Sequence, residues 1–345
     1  MKKLDKWILL SLTVLTSFGL FNLFGIRPDL VLQQCAFFIA GVLLFGIFYK
    51  LGPGLVRSNV VLIYLIMTSL LIFVSFISPA VRGSSRWIDL YFFKLQPSEF
   101  FRPFFLGLLA HVFARKRKEH SSQEFFGAIA LSILPIALII HQPDLGNAIL
   151  YMIIVLSIFY YVGITAKFFA GLIIAELAML PIVWQLLHNY QRLRIISFLN
   201  PQMDPQGVSY NLLQSIIAIG SGRLWGKGLG LGTQSRFQFL PEFHTDFAYA
   251  SLVEQFGFLG GVLVLICFAI IIFRLVKHAL EKKDNLYSFL FLLGSATILF
   301  ASVVVNIGMN MGVLPVTGVA LPFISYGGSS VLSTFILLGM AMGLL

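Results

Sequence analysis

Charged side chains are scarce in this chain, since Asp, Glu, Lys and Arg make up only 11% of its 345 residues. A soluble domain carries about 25% charged and about 45–50% apolar residues. Here hydrophobic residues reach 58%, which is more than a water-soluble fold of this length can bury. The excess is expected to face lipid. The composition therefore excludes an ordinary soluble domain and predicts an integral membrane protein.

Cysteine is nearly absent as well. Cys35 and Cys267 both lie within apolar runs, so they provide neither a disulfide framework nor a metal-ligand spacing. The formal net charge of +10 would suit a nucleic-acid partner. However, the basic residues lie in short segments between apolar runs, which is the pattern of membrane-protein loops. No nucleic acid is expected as a partner.

Ten apolar runs approach the roughly 20 residues that a transmembrane helix needs. They are 7–25, 30–49, 59–78, 98–114, 125–141, 145–162, 168–187, 247–274, 286–311 and 325–345. The first run is interpreted as an uncleaved span, because no small-residue cleavage site follows it. The runs predict an all-α polytopic membrane protein with ten transmembrane helices, forming one domain over residues 1–345.

The distribution of Lys and Arg orients these spans. Fourteen basic residues lie on the side of the N-terminus: Lys2, Lys3, Lys6, Lys50, Arg57, Arg115, Lys116, Arg117, Lys118, Lys167, Arg274, Lys277, Lys282 and Lys283. The short loops of the other side hold Arg27, Arg82, Arg86 and Lys94. The positive-inside rule therefore predicts cytoplasmic N- and C-termini. Two long loops, 79–97 and 188–246, are then expected outside, the second one between the seventh and eighth spans.

The long outer loop is rich in glycine, with six glycines from Gly220 to Gly232. Glycine allows backbone to approach a ligand closely and to adopt positive φ. The segment resembles a phosphate loop but lacks the required Ser or Thr after its Gly-Lys pair. Two interpretations remain open. One is a flexible turn with solvated cations; the other is a backbone cradle for pyrophosphate with Arg223, Lys227 and Arg236 nearby.

The same loop ends in the acidic segment 240–247, directly before a strongly apolar run. Asp246 is therefore expected at the outer membrane face, where a lipid-linked substrate presents its head group. Partial desolvation would raise the pKa of its carboxyl and suit it to act as a general base. Glu242 and His244 are rivals for this role. Alternatively, Thr245 or Asp246 is simply the N-cap of the eighth span.

Several ionisable residues lie within or beside the other spans. Glu99 and Arg102 are three residues apart, so they share a helix face and can pair. Glu254 follows Asp246 by eight residues, about 12 Å along a helix, and is expected to line a polar cavity below it. Asp144 lies in a short outer turn, where a helix cap is a more common role than a ligand.

A set of short motifs, in matching order over nearly the whole chain, resembles the SEDS family (shape, elongation, division and sporulation). The motifs are Arg86-Trp87-Ile88, Gln96-Pro97-Ser98-Glu99, Gln142-Pro143-Asp144-Leu145-Gly146, Gln214-Ser215, Leu240-Pro241-Glu242 with His244-Thr245-Asp246-Phe247, Asn306-Ile307-Gly308-Met309 and Leu321-Pro322-Phe323-Ile324-Ser325-Tyr326-Gly327-Gly328-Ser329-Ser330. Segments 232–235 and 314–318 look more like the RodA branch of this family than the FtsW branch.

The resemblance implies a ten-span peptidoglycan glycosyltransferase of the bacterial cytoplasmic membrane that uses lipid II and serves cell elongation and shape. Asp246 matches the family's essential aspartate and is the catalytic candidate. Together with the residue arguments above, it gives these substrate-binding candidates: Arg86, Glu99, Arg102, Gln214, Ser215, Lys227, Gln234, Ser235, Glu242, His244, Thr245 and Glu254. The chain departs from the family in having Gln255 where a second glutamate is usual, and Arg102 where Lys is more frequent.

The resemblance also implies partners. A class B penicillin-binding protein is expected to supply transpeptidation, and undecaprenyl pyrophosphate is the expected leaving group. No cofactor is evident from the sequence, although a divalent cation, Mg²⁺ or Mn²⁺, is a candidate for stabilising that leaving group. The alternatives are a lipid II flippase and a non-catalytic scaffold for a penicillin-binding protein. A motif-dense outer loop favours chemistry at one face, and a functional need for Asp246 would exclude the scaffold.

Overall fold

The computed structural model describes residues 4–77, 86–89, 93–114, 122–200, 208–237 and 239–345. Its α-helices are α1 (Lys6–Ile26), α2 (Val31–Ser58), α3 (Val60–Ile77), α4 (Pro97–Ala114), α5 (Ser122–His141), α6 (Leu145–Val162), α7 (Ala166–Leu186), α8 (Asn189–Leu199), α9 (Val208–Gly222), α10 (Thr233–Arg236), α11 (Ala248–Glu281), α12 (Leu286–Asn310) and α13 (Gly328–Met342). A 3-10 turn covers Pro28–Leu30. Strands β1 (Ile88–Asp89) and β2 (Lys94–Leu95) form a small antiparallel ribbon.

Each predicted apolar run coincides with one helix, so the expected all-helical fold is confirmed apart from the β ribbon. Among the described residues, seven helices are long and apolar enough to cross a bilayer. Two more apolar helices, Val60–Phe76 and α13, are shorter. Helix α4 matches the length but carries Glu99 and Arg102, whose charges lower its hydropathy.

The predicted loop 188–246 is more ordered than a simple connection, because it contains α8, α9 and α10. Sequence reasoning missed these helices since none is long enough to span a bilayer. Helix α9 is amphipathic: Ser215 and Ala218 are buried, whereas Ile216 and Ile217 are exposed. The described parts of this predicted loop are thus folded and can position side chains.

The chain divides into two compact units. The first comprises Met1–Gly46, Leu193–Arg274 and Leu299–Ile336, and the second comprises Ile47–Arg192, Leu275–Ile298 and Leu337–Leu345. In the first unit, Phe243 and Phe247 pack with small residues of α9 and α11 into a buried cluster. In the second unit, α3, α4, α5 and α6 pack against one another.

Helix α1 starts at a buried acidic residue, Asp5. Asp5 is the N-cap, and its Oδ1 accepts hydrogen bonds from Trp7 N at 2.9 Å and Ile8 N at 3.3 Å. Such a cap satisfies the otherwise unpaired amides of a first helical turn. The same carboxylate binds Arg274 of α11 at 2.5 Å. One residue therefore starts α1 and connects it to the α11 helix of the same unit.

Helix α11 is interrupted at Gly257, whose φ of 71° and ψ of −172° are not helical. A side chain is excluded there, because a Cβ atom would lie 2.3 Å from the backbone nitrogen of Gly226. The interruption lets the glycine-rich segment 222–232 pair with α11: Phe258 N donates to Arg223 O at 2.7 Å. The glycines therefore bring this segment and the start of α11 together.

Candidate functional site

The segment that carries Asp246 is a tight turn leading into α11. Asp246 is partly exposed, and its backbone carbonyl accepts hydrogen bonds from Asn306 Nδ2 and Asn310 Nδ2, both at 3.1 Å. These two asparagines are four residues apart on α12, hence on one helix face, and both are fully buried. The asparagine pair therefore holds Asp246 by its backbone carbonyl.

Asn310 also satisfies an amide in the first turn of α11. Its Oδ1 accepts a hydrogen bond from Ala250 N, in the first turn of α11, at 3.1 Å. A first-turn amide has no partner within its own helix, and this one is satisfied from α12. The Thr245 hydroxyl instead donates to Glu242 Oε2 at 2.9 Å.

The other residues of the turn are held by the segment before α13. Tyr326 N donates to His244 O at 2.8 Å, and Ser325 Oγ donates to Thr245 O at 2.7 Å. The rings of His244 and Tyr326 lie with centroids 5.8 Å apart. Three successive backbone carbonyls, those of residues 244, 245 and 246, therefore accept hydrogen bonds from polar groups elsewhere in the unit. This is a rigid mounting for an acidic side chain at a partly exposed position.

Glu254, one turn and a half further along α11 than Ala248, is fully buried. Its Oε1 accepts from Gln234 N at 2.9 Å and Lys227 Nζ at 3.3 Å, while its Oε2 accepts from Ser235 N at 3.2 Å and Ser235 Oγ at 2.9 Å. Burial of a carboxylate is tolerated only when its charge and lone pairs are matched in this way. The structure thus brings four predicted residues together around one carboxylate, with Glu254 anchoring the N-terminus of α10.

The glycine-rich segment uses its amides within the protein. Lys227 N donates to Glu254 O at 2.9 Å, Gly228 N donates to Gln255 O at 3.0 Å, and Gly230 N donates to Gln255 Oε1 at 2.9 Å. The pyrophosphate cradle considered from the sequence needs such amides to point at a ligand. These three do not, so the segment is a packed turn beside α11.

Gln255 explains the departure from the expected pair of glutamates. While its Oε1 accepts from Gly230, its Nε2 donates to Asn22 O at 3.1 Å and Asn22 Oδ1 at 2.7 Å. A glutamate has no donor for these contacts when ionised. Gly25 is equally required, since a Cβ atom there would lie 1.9 Å from Gln255 Oε1. The neutral amide therefore links α1 to the glycine-rich segment.

Ser215 and Gln214, predicted as substrate ligands, lie on α9. Ser215 is fully buried, and its hydroxyl donates to Asn310 O at 2.8 Å. Ser215 thus supports the asparagine that holds Asp246. Gln214 is half-buried.

A second polar network lies in the other unit and centres on Asp144. The carboxylate is 1% exposed and accepts from Arg86 Nη1 at 3.0 Å, Gln96 Nε2 at 2.6 Å, Ser98 Oγ at 3.3 Å and Asn147 Nδ2 at 2.7 Å. Asp144 also accepts from Asn147 N, as the N-cap of α6. The capping role predicted for Asp144 is therefore confirmed, but it is only one of several contacts.

Glu99 and Arg102 join this network on α4. Arg102 lies 3.9 Å from Glu99 and donates to Asn147 Oδ1. The predicted pairing of the two residues is thus present, and both are buried. The sequence predicted Arg86, Glu99 and Arg102 as substrate-binding residues. It did not predict that Asp144 and Asn147 connect them.

Several residues that hold the two networks together were not among the substrate-binding or catalytic residues predicted from the sequence. They are Asn22, Gln96, Asp144, Asn147, Asn306, Asn310, Ser325 and Tyr326. The available signal was the presence of amide side chains in apolar runs, which are costly there unless they find partners. Asn306 and Asn310 carry it most clearly, because their spacing of four residues puts two amides on one face of α12.

Two polar networks built on apolar helices define a multi-pass membrane protein that maintains ionisable groups within and beside its spans. The model of the FtsW/RodA/SpoVE family, described as cell cycle protein, matches residues 4–345. The chain belongs to this family.

Similar proteins cover nearly the whole length. The peptidoglycan glycosyltransferase MrdB of Escherichia coli K12 is 33% identical over 338 residues, covering 98% of this chain and 91% of MrdB. A solved structure of a peptidoglycan synthase complex that coordinates polymerization and crosslinking contains a chain with a TM-score of 0.82 and 28% identity, covering 98% of this chain and 96% of that one. A variant of the Thermus thermophilus rod shape determining protein RodA gives a TM-score of 0.74 at 25% identity, with coverages of 98% and 96%.

Proposed function

We propose that this protein is a peptidoglycan glycosyltransferase that polymerises lipid II into glycan strands for cell elongation and shape. The observation that carries the proposal is the turn in which Asp246 is held by Asn306 and Asn310, within a chain that aligns over 98% of its length with a relative of that named activity. The named activity of the relative indicates the reaction. The turn provides an acidic side chain on a fixed backbone that can act in it.

The reaction belongs at the outer face of the bacterial cytoplasmic membrane. Ten spans with both termini in the cytoplasm place the Asp246 turn and the 188–246 segment outside. The excess of Lys and Arg in the remaining loops supports this orientation. Lipid II and undecaprenyl pyrophosphate would then reach the site from the outer leaflet, with their polyprenyl chains among membrane lipids.

Asp246 acts as the general base. Its carboxylate takes the proton from the 4-hydroxyl of the acceptor sugar, and that oxygen forms a bond to the anomeric carbon of the donor. The bond from this carbon to the phosphate oxygen breaks, and its electron pair leaves with undecaprenyl pyrophosphate. A single displacement converts an α-linked donor into a β-linked product, so the reaction needs one base and no protein nucleophile.

The turn explains how the base is positioned. General acid–base catalysis requires the carboxylate within hydrogen-bond reach of the hydroxyl, and small displacements are costly. The three held carbonyls of residues 244–246 fix the backbone on which the carboxylate is mounted. His244, Thr245 and Glu242 lie in the same turn and are assigned to binding the sugar part of the substrate.

The second network, formed by Asp144, Arg86, Arg102 and its amide partners, is assigned to substrate binding through its cations. The Arg86 side chain retains 20% exposure, which supports its assignment to substrate binding. The Asp144 carboxylate holds the guanidinium in place.

A divalent cation remains a prediction. Among the residues that the structure describes, no group of three or more His, Cys, Asp or Glu could hold a metal ion. Removal of divalent cations with EDTA during the polymerisation assay, followed by Mg²⁺ or Mn²⁺ addition, tests whether a cation arrives with the substrate.

A class B penicillin-binding protein is the proposed partner. The similar chain in a complex that coordinates polymerization with crosslinking supports an assembly of this kind. The partner would supply the transpeptidation for which the chain offers no Ser-x-x-Lys motif in its predicted outer loops.

The test compares purified wild type with Asp246→Asn, given labelled lipid II with and without the presumed partner. General-base removal is expected to lower polymerisation by about 10²–10⁴-fold, with unchanged thermal stability. Asp284→Asn is the matched control, because Asp284 is an exposed carboxylate in the turn between α11 and α12. Polymer formation by Asp246→Asn at the wild-type rate would refute the assignment of the base. Absence of polymer from wild type under every condition would instead favour a flippase or scaffold, and a translocation assay separates these two.

A further inference from the structure

Arg27 lies directly beyond the end of α1 and is the C-cap residue of that helix, with its backbone N–H donated to Leu23 O. Its guanidinium binds Asp29 in a fork: Nε lies 2.8 Å from Oδ1, and Nη2 lies 2.6 Å from Oδ2. Both side chains remain substantially open to water, at 35% for Arg27 and 59% for Asp29. Exposed ion pairs contribute little to stability, so the fold alone does not account for this arrangement.

The Arg27–Asp29 fork is connected to the turn that carries Asp246. Asp29 lies in the 3-10 turn directly before α2, and Gln33 lies in the first turn of α2. Gln33 Oε1 accepts a hydrogen bond from Tyr326 OH at 2.6 Å. Tyr326 in turn donates its backbone N–H to His244 O and packs its ring beside that of His244. The pKa of the Asp29 carboxyl is lowered mainly by its hydrogen bonds from Arg27, and His244 adds to this lowering when its imidazole is protonated. Arg27 therefore belongs to the surroundings of Asp246, two residues beyond His244.

The cation of Arg27 differs from that of Lys227 in the same unit. Lys227 Nζ is bound by Glu254, whose side chain is fully buried, so its charge is matched inside the protein. Asp29 is by contrast exposed, and an exposed carboxylate can be displaced from a guanidinium by a stronger acceptor. Among the described residues, no acceptor binds Nη1 of Arg27, so the guanidinium also has a free donor edge.

We propose that Arg27 binds the diphosphate of the lipid-linked substrate, and that Asp29 occupies the guanidinium until the diphosphate replaces it. The planar guanidinium presents parallel donors that match two phosphate oxygens, which a lysine ammonium cannot do. This assignment rests on the proposed function for the identity of the substrate, although the chemical group recognised is a polyprenyl diphosphate in either case.

The proposal makes opposite predictions for the two partners. Arg27→Gln removes the phosphate contact and is expected to weaken diphosphate binding about tenfold, the effect of losing a charge-assisted hydrogen bond. Arg27→Lys keeps the charge without the fork and is expected to give an intermediate loss. Asp29→Asn removes the competing carboxylate and is expected to tighten binding several-fold.

The experiment measures binding directly, without turnover. Wild type and the three variants are placed in phosphatidylcholine nanodiscs, and undecaprenyl pyrophosphate binding is measured by native mass spectrometry, with undecaprenol as the probe that lacks the diphosphate. Lys283→Gln is the control for loss of one positive charge, because Lys283 is exposed in the turn between α11 and α12. Thermal unfolding of each variant checks that the fold is intact.

Loss of undecaprenyl pyrophosphate binding in Arg27→Gln, with undecaprenol binding unchanged, supports the proposal. Equal losses for both probes, an equal loss in Lys283→Gln, or weaker binding in Asp29→Asn would overturn it. Competition by inorganic pyrophosphate supports the diphosphate contact and identifies the free anion as sufficient. Equal competition by phosphatidylglycerol overturns it, because Arg27 would then recognise any anionic head group.

The Arg27 proposal and the proposed polymerase function can fail independently of each other. A protein that makes no glycan but loses diphosphate binding in Arg27→Gln would retain the Arg27 assignment and refute the polymerase. A protein that polymerises lipid II with an unchanged KM in Arg27→Gln would refute Arg27 and retain the polymerase.

Discussion

Two aspartates, one in each unit, are held in opposite ways. At Asp144 the carboxylate itself accepts hydrogen bonds from Arg86, Gln96 and Asn147 and is almost completely buried. At Asp246 the contacts from Asn306 and Asn310 go to the backbone carbonyl, and the residue is partly exposed. The Asp144 carboxylate positions the side chains around it. At Asp246, hydrogen bonds position the backbone that carries the carboxylate. Substitution of the two residues should therefore affect different properties.

The largest effect on folding is expected for Asp144→Ala. The change leaves Arg86, which is mostly buried, without its carboxylate, and removing one partner of a buried pair costs about 3–5 kcal/mol. Thermal unfolding in detergent, followed by size-exclusion chromatography, should show a strongly destabilised protein. Asp246→Ala should unfold like wild type. Equal stability of the two variants would remove the distinction between the two aspartates.

A smaller loss of stability, combined with a loss of activity, is expected for Asn310→Ala. The change leaves Ala250 N without its partner and leaves Asp246 O with Asn306 as its remaining asparagine donor, at a cost of about 1–3 kcal/mol. Because the backbone beneath the proposed base loosens, kcat for polymerisation should fall more than KM rises. Asn211→Ala, on the half-buried part of α9, is the matched amide control. A change in KM alone would indicate that Asn310 contributes to binding and not to the position of Asp246.

Glu254→Gln should have the smallest effect of the three. The substitution replaces one acceptor oxygen by an NH₂ donor, which can then face the donors of Lys227 and Gln234. We expect the free energy of unfolding to fall by about 1–2 kcal/mol. Since Glu254 anchors the segment that includes α10, limited proteolysis should cut near residues 223–237 faster than in wild type. Glu281→Gln, in an exposed position, is the control. Unchanged proteolysis with lost polymerisation would instead indicate direct contact of Glu254 with substrate.

Most of the helical fold could be predicted from the sequence, and the outer segment could not. An apolar run of about 20 residues has one main solution in a bilayer, so the ten runs each became a helix. Helices α8, α9 and α10 are too short for that signal, and their positions depend on contacts such as that between Ser215 and Asn310. The break in α11 at Gly257 likewise follows from the approach of Gly226, which no local pattern encodes.

The candidate site was predictable in its residue types and not in its connections. Asp246, Glu99 and Arg102 attract notice as charges at or within apolar runs. That Asn306 and Asn310 hold Asp246 by its carbonyl depends on packing between α11 and α12, which sequence spacing alone does not reveal. The role of Asp144 was underestimated because a helix cap already accounted for it, although Arg86 and Gln96 lie far from it in sequence.

The contact between Gln255 and Asn22 has a consequence for sequence variation in related chains. Gln255 donates to Asn22 and at the same time accepts from Gly230, so residue 255 can change to glutamate only if position 22 offers a donor in place of an acceptor. Rotation of the Asn22 amide would supply that donor but would turn its oxygen toward the carbonyl of Ala248, to which it now donates. The side chains at positions 22 and 255 therefore constrain each other, so a change at one of them must keep a donor opposite each acceptor of the other.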